Sequence, residues 1–312
     1  MILTLTPNPS LDVLFEAERV VWDDANRVEA PRRRPGGQGI NLARAARVLG
    51  GRALALAPLG GRTGRELADQ LAREGTPLRS VTIAGETRLF VGVREGVSGR
   101  SLLLNPRGPT LALDETRALL GALRELLAGE RPKWLACCGS LPPGVPADFY
   151  ARAGSLAREH GVRFVPDCDG DALRLAAAGG CDLLVPNTHE AARLLGRPTE
   201  GAAAAEAAPA LLGFGAGLGV IKLGEDGAVA ATPEGAVWHA VAPLVRQGSA
   251  VGAGDAFLAA LLLAHENGAE AAETLRAAVA AGTAVLLSRG SDILTQDDVE
   301  AVKREVKVVK LS

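Results

Sequence analysis

A chain of 312 residues with 47% hydrophobic and 22% charged side chains holds enough apolar material to bury a large core, which excludes a mostly disordered polypeptide. Its formal net charge of -2 hides an uneven choice of cation: lysine occurs only at positions 133, 222, 303, 307 and 310, the other formal positive charges are arginine, and no basic stripe with interleaved aromatics marks a nucleic-acid surface. The strongly apolar stretch 256–264 falls well short of the roughly 20 apolar residues of a membrane span.

The chain opens with an apolar run at 2–6 that leads into Pro7-Asn8-Pro9 without a basic flank, so it reads as a first strand rather than a secretory signal. Of the four cysteines, Cys137 and Cys138 are adjacent and Cys168 and Cys181 sit in apolar segments. Without CxxC spacing or a histidine pair to join them, they read as buried, reduced thiols of a soluble cytoplasmic protein.

From that first strand onward, short β-type runs alternate with helical patterns. Helices are predicted at 40–49 and 64–74 around a strand at 53–58, then a helix at 114–127, a strand at 134–138 and a helix at 147–160. A strand at 162–166, a helix at 171–177, a strand at 183–186, a helix at 188–195 and a strand at 219–223 follow, and two Ala/Leu-rich helices, 253–266 and 269–288, close the pattern. Such alternation predicts a layered α/β fold with a mostly parallel sheet buried on both faces, organised as one domain over 1–312. The Ala-rich piece 201–210 reads as a surface helix.

Two segments break the alternation. Residues 13–28 and 87–104 are strand-like, carry Arg88, Gly92, Arg94 and Arg100, and have no helical partner. They predict a separate small sheet, contributed from about 13–35 and 86–106 and placed to act as a lid. The cluster Arg32-Arg33-Arg34 before Pro35 reads as a solvated strand end.

Five strand-end turns are rich in Gly, Pro, Asn and Asp. Asp12 follows the first strand, where ligands of parallel sheets bind, as a ligand group or as a turn residue. The turn Pro35-Gly36-Gly37-Gln38-Gly39-Ile40-Asn41 enters a helix with free backbone N–H groups and matches neither a nucleotide P-loop nor GxGxxG. Gly139 to Gly144 and Lys222 to Gly227 form further turns. Asn187 and Glu190 fit a capping box, or water around a phosphate-bound magnesium ion. Last, the run 248–257, GSAVGAGDAF, delivers Asp255 to a helix mouth, either as a cap or as a working carboxylate beside an anion hole.

Taken in order, TPNPSLD, PGGQGINLARAARVLG, Thr87-Arg88, GSLPPGVPADFY, PNTHE and GSAVGAGDAFLAALLLA resemble the phosphofructokinase-B, or ribokinase-like, sugar kinases over nearly the whole chain. They are most similar to the branch acting on fructose 1-phosphate, tagatose 6-phosphate and fructose 6-phosphate. The resemblance implies a three-layer α/β/α core with a small β-sheet lid and ATP-dependent phosphoryl transfer, with fructose 1-phosphate as first acceptor and fructose 1,6-bisphosphate as product. The alternatives are the tagatose and fructose 6-phosphates, an unphosphorylated sugar or nucleoside, and a ligand-sensing module that does not turn over.

The same resemblance makes Asp255 the general base and Gly252, Ala253 and Gly254 the anion hole. It gives the acceptor to Asp12, Gly37, Gln38, Gly39, Asn41 and Arg88, with Arg27 and Ser140 nearby. ATP goes to Asn187, Lys222, Gly224, Gly227, Gly254, Ala281 and Gly282, and Mg2+ to Glu190 through water. A monovalent cation is left open, and the lid edges imply a homodimer. Five positions depart from the usual pattern: Gln38 for a lysine, Phe90 for a polar residue, Val185 for a lysine, Lys222 for a serine and Ala250 for a threonine. Lys222 is expected to return near the nucleotide the charge missing at Val185.

Overall fold

The computed structural model describes residues 1–245, 250–287 and 294–312. Gly248 and Ser249 of the predicted 248–257 turn, and Ser288 at the end of the last long predicted helix, lie outside the described residues.

In chain order, β1 (Ile2–Leu5) is followed by β2 (Ser10–Ala17), β3 (Arg32–Gly36), α1 (Gln38–Val48), β4 (Ala53–Leu59), α2 (Gly61–Arg73) and β5 (Leu78–Thr82). Next come β6 (Arg88–Glu95), β7 (Ser101–Leu104), α3 (Leu113–Glu130), β8 (Trp134–Cys138), α4 (Phe149–Glu159), β9 (Arg163–Asp167), α5 (Gly170–Ala178), β10 (Leu183–Leu184) and α6 (Thr188–Leu195). The chain closes with α7 (Ala203–Ala207), β11 (Leu218–Lys222), β12 (Ala228–Ala231), β13 (Val237–Val241), α8 (Ala253–Glu266), α9 (Ala271–Ala284), α10 (Gln296–Glu305) and β14 (Lys307–Lys310).

A parallel sheet in the order β5-β4-β1-β8-β9 forms the first half of the core. A second sheet, β10-β11-β12-β13-β14, starts parallel and turns antiparallel after β11. Asp182 stitches the two together, its N–H donating to Phe164 O at 2.9 Å and its Oδ2 accepting from Phe164 N at 2.7 Å.

Strand residues alternate between two apolar layers because successive side chains leave opposite faces of a sheet. Ile2, Ala55, Trp134 and Val165 face α1, α2, α8 and α9, whereas Leu3, Leu56, Leu135 and Phe164 face α3, α4 and α5. Each fully buried large side chain in these layers contributes about 1.5–3 kcal/mol against exposure. This is the expected three-layer α/β/α core.

The separate small sheet predicted as a lid has four strands in the order β3-β2-β6-β7, with β2 and β6 parallel. Its second strand is not where the alternation placed it. β2 stops at Ala17, residues 18–31 form no strand, and the partner is β3, which contains the arginine cluster. Arg32 and Arg33 are solvated, but Arg34 sits opposite Asp12 in the ladder and is mostly buried.

The 201–210 piece also departs from expectation. Only Ala203–Ala207 is α-helical, and Ala204, Ala207 and Ala208 are buried under the second sheet rather than displayed on the surface. The whole predicted helix 269–288 narrows to α9, followed by a 3-10 turn at Val285–Leu287.

Candidate active site

A cleft of about 440 Å3 opens where the carboxyl ends of β1 and β8, the amino ends of α1 and α8, and the inner side of the lid converge. Its walls include Asp12, Gly37, Gln38, Asn41, Arg88 and Ser140 from the sugar-side prediction, and Gly252, Gly254 and Asp255 from the helix-mouth prediction. Residues separated by more than two hundred positions thus meet in one place.

Asp255 lies in the first turn of α8 and is only 5% exposed. Gly252 starts that helix at φ 90 and, among the described residues, no side chain caps it, so the helix mouth presents backbone amides and its positive dipole end to the cleft. Ala253 N already donates to Ala250 O at 3.1 Å, whereas Gly252 and Gly254, also predicted for the anion hole, line the cleft. Asn41 Nδ2 donates to Asp255 Oδ2 at 2.9 Å. Burial and the nearby Asp167 carboxylate outweigh the Asn41 hydrogen bond and the Lys222 ammonium, so the Asp255 carboxyl is pushed up to about 7.

Asp12, 4% exposed, is held from three sides on the lid. Ser10 Oγ donates to its Oδ1 at 2.7 Å, Arg34 Nε stands 3.8 Å from Oδ2, and Gly36 passes so close that a Cβ there would lie 2.0 Å from Oδ1. Burial raises the Asp12 carboxyl, and Ser10 with the arginines opposes the rise. Arg88 Nη2 donates to Asn8 O at 2.8 Å and Nη1 to Pro106 O at 3.0 Å, with Asn105 Oδ1 also in contact. The Asn8 amide reaches Ser140 Oγ at 3.0 Å, joining the lid-side arginine to the turn after β8.

Gln38 Oε1 lies 3.3 Å from where a Gly139 Cβ would be. Gly37, at φ 107, and Gly39 are packed against the Thr6 side chain, and a Cβ on Gly39 would stand 2.4 Å from Thr6 Oγ1. Only glycine lets α1 start this near β1.

Behind the helix mouth lies a second group. Lys222, the last residue of β11, places Nζ 3.2 Å from Asp167 Oδ1 at the end of β9. Asn187 and Glu190 form the predicted capping box, with Glu190 N to Asn187 Oδ1 at 2.9 Å and Asn187 N to Glu190 Oε2 at 2.8 Å. Burial raises the Glu190 carboxyl, with Lys222 opposing. Gly227, at φ 88, is a backbone necessity because a Cβ would meet Ala240 O at 1.9 Å, whereas Gly224 is open. Ala281 is fully buried in α9, and Gly282 brings α9 against α8, its virtual Cβ lying 3.2 Å from Ala253 O. Arg27 is exposed in the strandless stretch and is not among the cleft's walls.

Sequence reasoning passed over Asp167, Asn8 and Asn105. The rule that flagged Asp12, a polar residue at the carboxyl end of a parallel strand, also singles out Asp167.

The chain matches the profile described as pfkB family carbohydrate kinase over residues 10–298. The chain belongs to this family. A curated pfkB relative, the ATP-dependent 6-phosphofructokinase isozyme 2 of Escherichia coli, is 36% identical over 96% of this chain and 97% of its own. The 1-phosphofructokinase of Rhodobacter capsulatus is 33% identical over 99% of this chain and 98% of its own. Among solved structures, phosphofructokinase-2 from Escherichia coli in complex with substrates and products superposes with a TM-score of 0.91 at 35% identity, covering 97% of this chain and 98% of that one. The same bacterial protein has been solved with fructose-6-phosphate, with potassium and as a tetrameric inhibited form. The pfkB fold, with its parallel core and separate small sheet, is therefore the fold seen here.

Proposed function

We propose that this pfkB kinase transfers the terminal phosphoryl group of ATP to a fructose monophosphate, giving fructose 1,6-bisphosphate. The observation that carries the reading is the pairing, in one cleft, of a buried carboxylate at an uncapped helix mouth with a lid arginine. Asp255 takes the proton of the acceptor hydroxyl, and its position near neutrality makes it a competent base at physiological pH. The Gly252 and Gly254 amides stabilise charge on the transferring group, which needs positioning and electrostatics more than covalent help. Asp12 grips acceptor hydroxyls, and Arg88 binds the phosphate the acceptor already carries.

Both relatives named above act on fructose monophosphates, one on each isomer. The motif pattern fits the branch that takes either isomer, and the slightly higher identity favours the 6-phosphate; either acceptor gives the same bisphosphate.

Asp167 and Glu190 supply hard oxygen donors on one side of the helix mouth. The described residues hold no cluster of three acidic, histidine or cysteine side chains, and a magnesium ion typically needs only one or two carboxylates beside phosphate oxygens and water. The site fits such an ion, which would shield phosphate charge when bound.

The exposed Leu102, Leu103 and Leu104 on β7 support pairing of two copies through their lids.

The test is ATP consumption with a panel of fructose 1-phosphate, fructose 6-phosphate, tagatose 6-phosphate and unphosphorylated sugars, with and without potassium. Arg88→Ala should raise KM for the phosphosugar tenfold or more and leave a plain sugar unaffected. Turnover of unphosphorylated sugars alone would replace the phosphosugar reading.

A further inference from the structure

Lys222 is a largely sheltered ammonium in an unusual position. Its side chain is 17% exposed and, among the described residues, its hydrogen-bond partner is Asp167 Oδ1 at 3.2 Å. Three carboxylates bear on it electrostatically: Asp167, Glu190 and Asp255. The strand end that carries it is pinned by the bridge pairing Asn187 with Lys222, so the stem starts from a fixed place at the carboxyl edge of the sheet.

On the opposite side stands Gly254, an amide of the anion-binding helix mouth. A Cβ added to Gly254 would meet one described heavy atom within 4 Å, Lys222 Nζ at 3.9 Å. Glycine at 254 therefore leaves the ammonium facing the back of the anion hole with no side chain between them. A lysine stem has four rotatable bonds and a point charge at its tip, which suits it to trading one oxygen partner for another.

We infer that Lys222 is the site's own phosphoryl cation: it rests on Asp167 in the ligand-free enzyme and moves its ammonium to phosphoryl oxygens when they enter beside Gly254. The inference rests on the ATP-kinase reading above. Asp167 is freed by the same movement and becomes available to a cation that accompanies the phosphates. A merely structural pair would behave differently, because a buried ion pair contributes little beyond what a neutral pair of similar size supplies.

The charge-matched double variant Lys222→Met with Asp167→Asn separates the two roles. It removes one positive and one negative charge, so the net charge of the site is unchanged. Calorimetric binding of ATP in EDTA, without divalent metal, is compared with the wild type after thermal unfolding has shown both to be folded. Binding at least tenfold weaker in the double variant is expected, and affinities within twofold of each other overturn the inference. If the double variant does not fold, Asp167→Asn alone decides: a freed Lys222 should bind metal-free ATP more tightly, and unchanged or weaker binding overturns the proposal. Failure of the wild type itself to bind ATP, with or without magnesium, strikes the kinase reading instead.

Discussion

Replacing Asp255 with asparagine should make the protein more stable and nearly inactive at once. The carboxyl is pushed from the ordinary 3.8 to about 7, first by burial and then by Asp167. A shift of about 3 pH units corresponds to roughly 4 kcal/mol of folding free energy lost once the group is ionised, at about 1.4 kcal/mol per unit. From about pH 4 to about 7 the folded chain holds a proton here that the unfolded chain has released, so this contribution falls as pH rises, then stays flat. Asparagine carries no charge to desolvate, and its amide oxygen can still accept from Asn41. The stability gained by Asp255→Asn should therefore grow by about 2 kcal/mol between pH 5 and 7 and level off above that. Urea unfolding of nucleotide-free, magnesium-free protein at several pH values measures it. A gain independent of pH, or a loss at pH 8, refutes the claim that burial strains this carboxylate. Turnover in the same variant should drop roughly 10²- to 10⁴-fold, as for loss of a positioned base, while wild-type turnover climbs as pH passes through about 7.

Two further outcomes follow from the lid. Gly36→Ala sets a methyl group where Asp12 Oδ1 now lies, 2.0 Å from the ideal Cβ position, and should raise the acceptor KM tenfold or more with little change for ATP in steady-state kinetics. Leu103→Glu, on the exposed strand β7, should convert a dimer to monomers in sedimentation velocity; an unaltered dimer places the interface elsewhere.

Much of the site was readable from the chain because each strand end announces itself by a change from apolar to Gly, Pro, Asn and Asp. Asp12, Gly37, Asn41, Arg88 and Asp255 share one cleft as that pattern implied. Asn41, expected to meet the acceptor, lines that cleft and also steadies Asp255 through its amide nitrogen, a contact no spacing in the sequence announces. Asp167 was obscured by its neighbours: Asp167, Asp169 and Asp171 stand close together, and which of them ends the strand depends on a one-residue boundary. Arg34 read as solvated because charge normally faces water, but the ladder with β2 sets it across from Asp12, which compensates its burial. β12 was missed because Ala-Val-Ala-Ala has almost no β-branched character; burial between β11 and β13 makes it a strand.

The core strand β1 and the lid strand β2 are joined by only Thr6, Pro7, Asn8 and Pro9. Two of those four, Thr6 and Asn8, are themselves walls of the cleft. The link between the two sheets and the wall of the cleft are thus one piece of chain, so a change of angle between the sheets would move groups that line the cleft. If copies pair through their lids, assembly and acceptor affinity become linked quantities: whatever fixes the lid angle in the pair changes acceptor binding, and bound acceptor changes the pairing constant by the same factor. Concentration of the enzyme would then act as an effector of its own saturation curve.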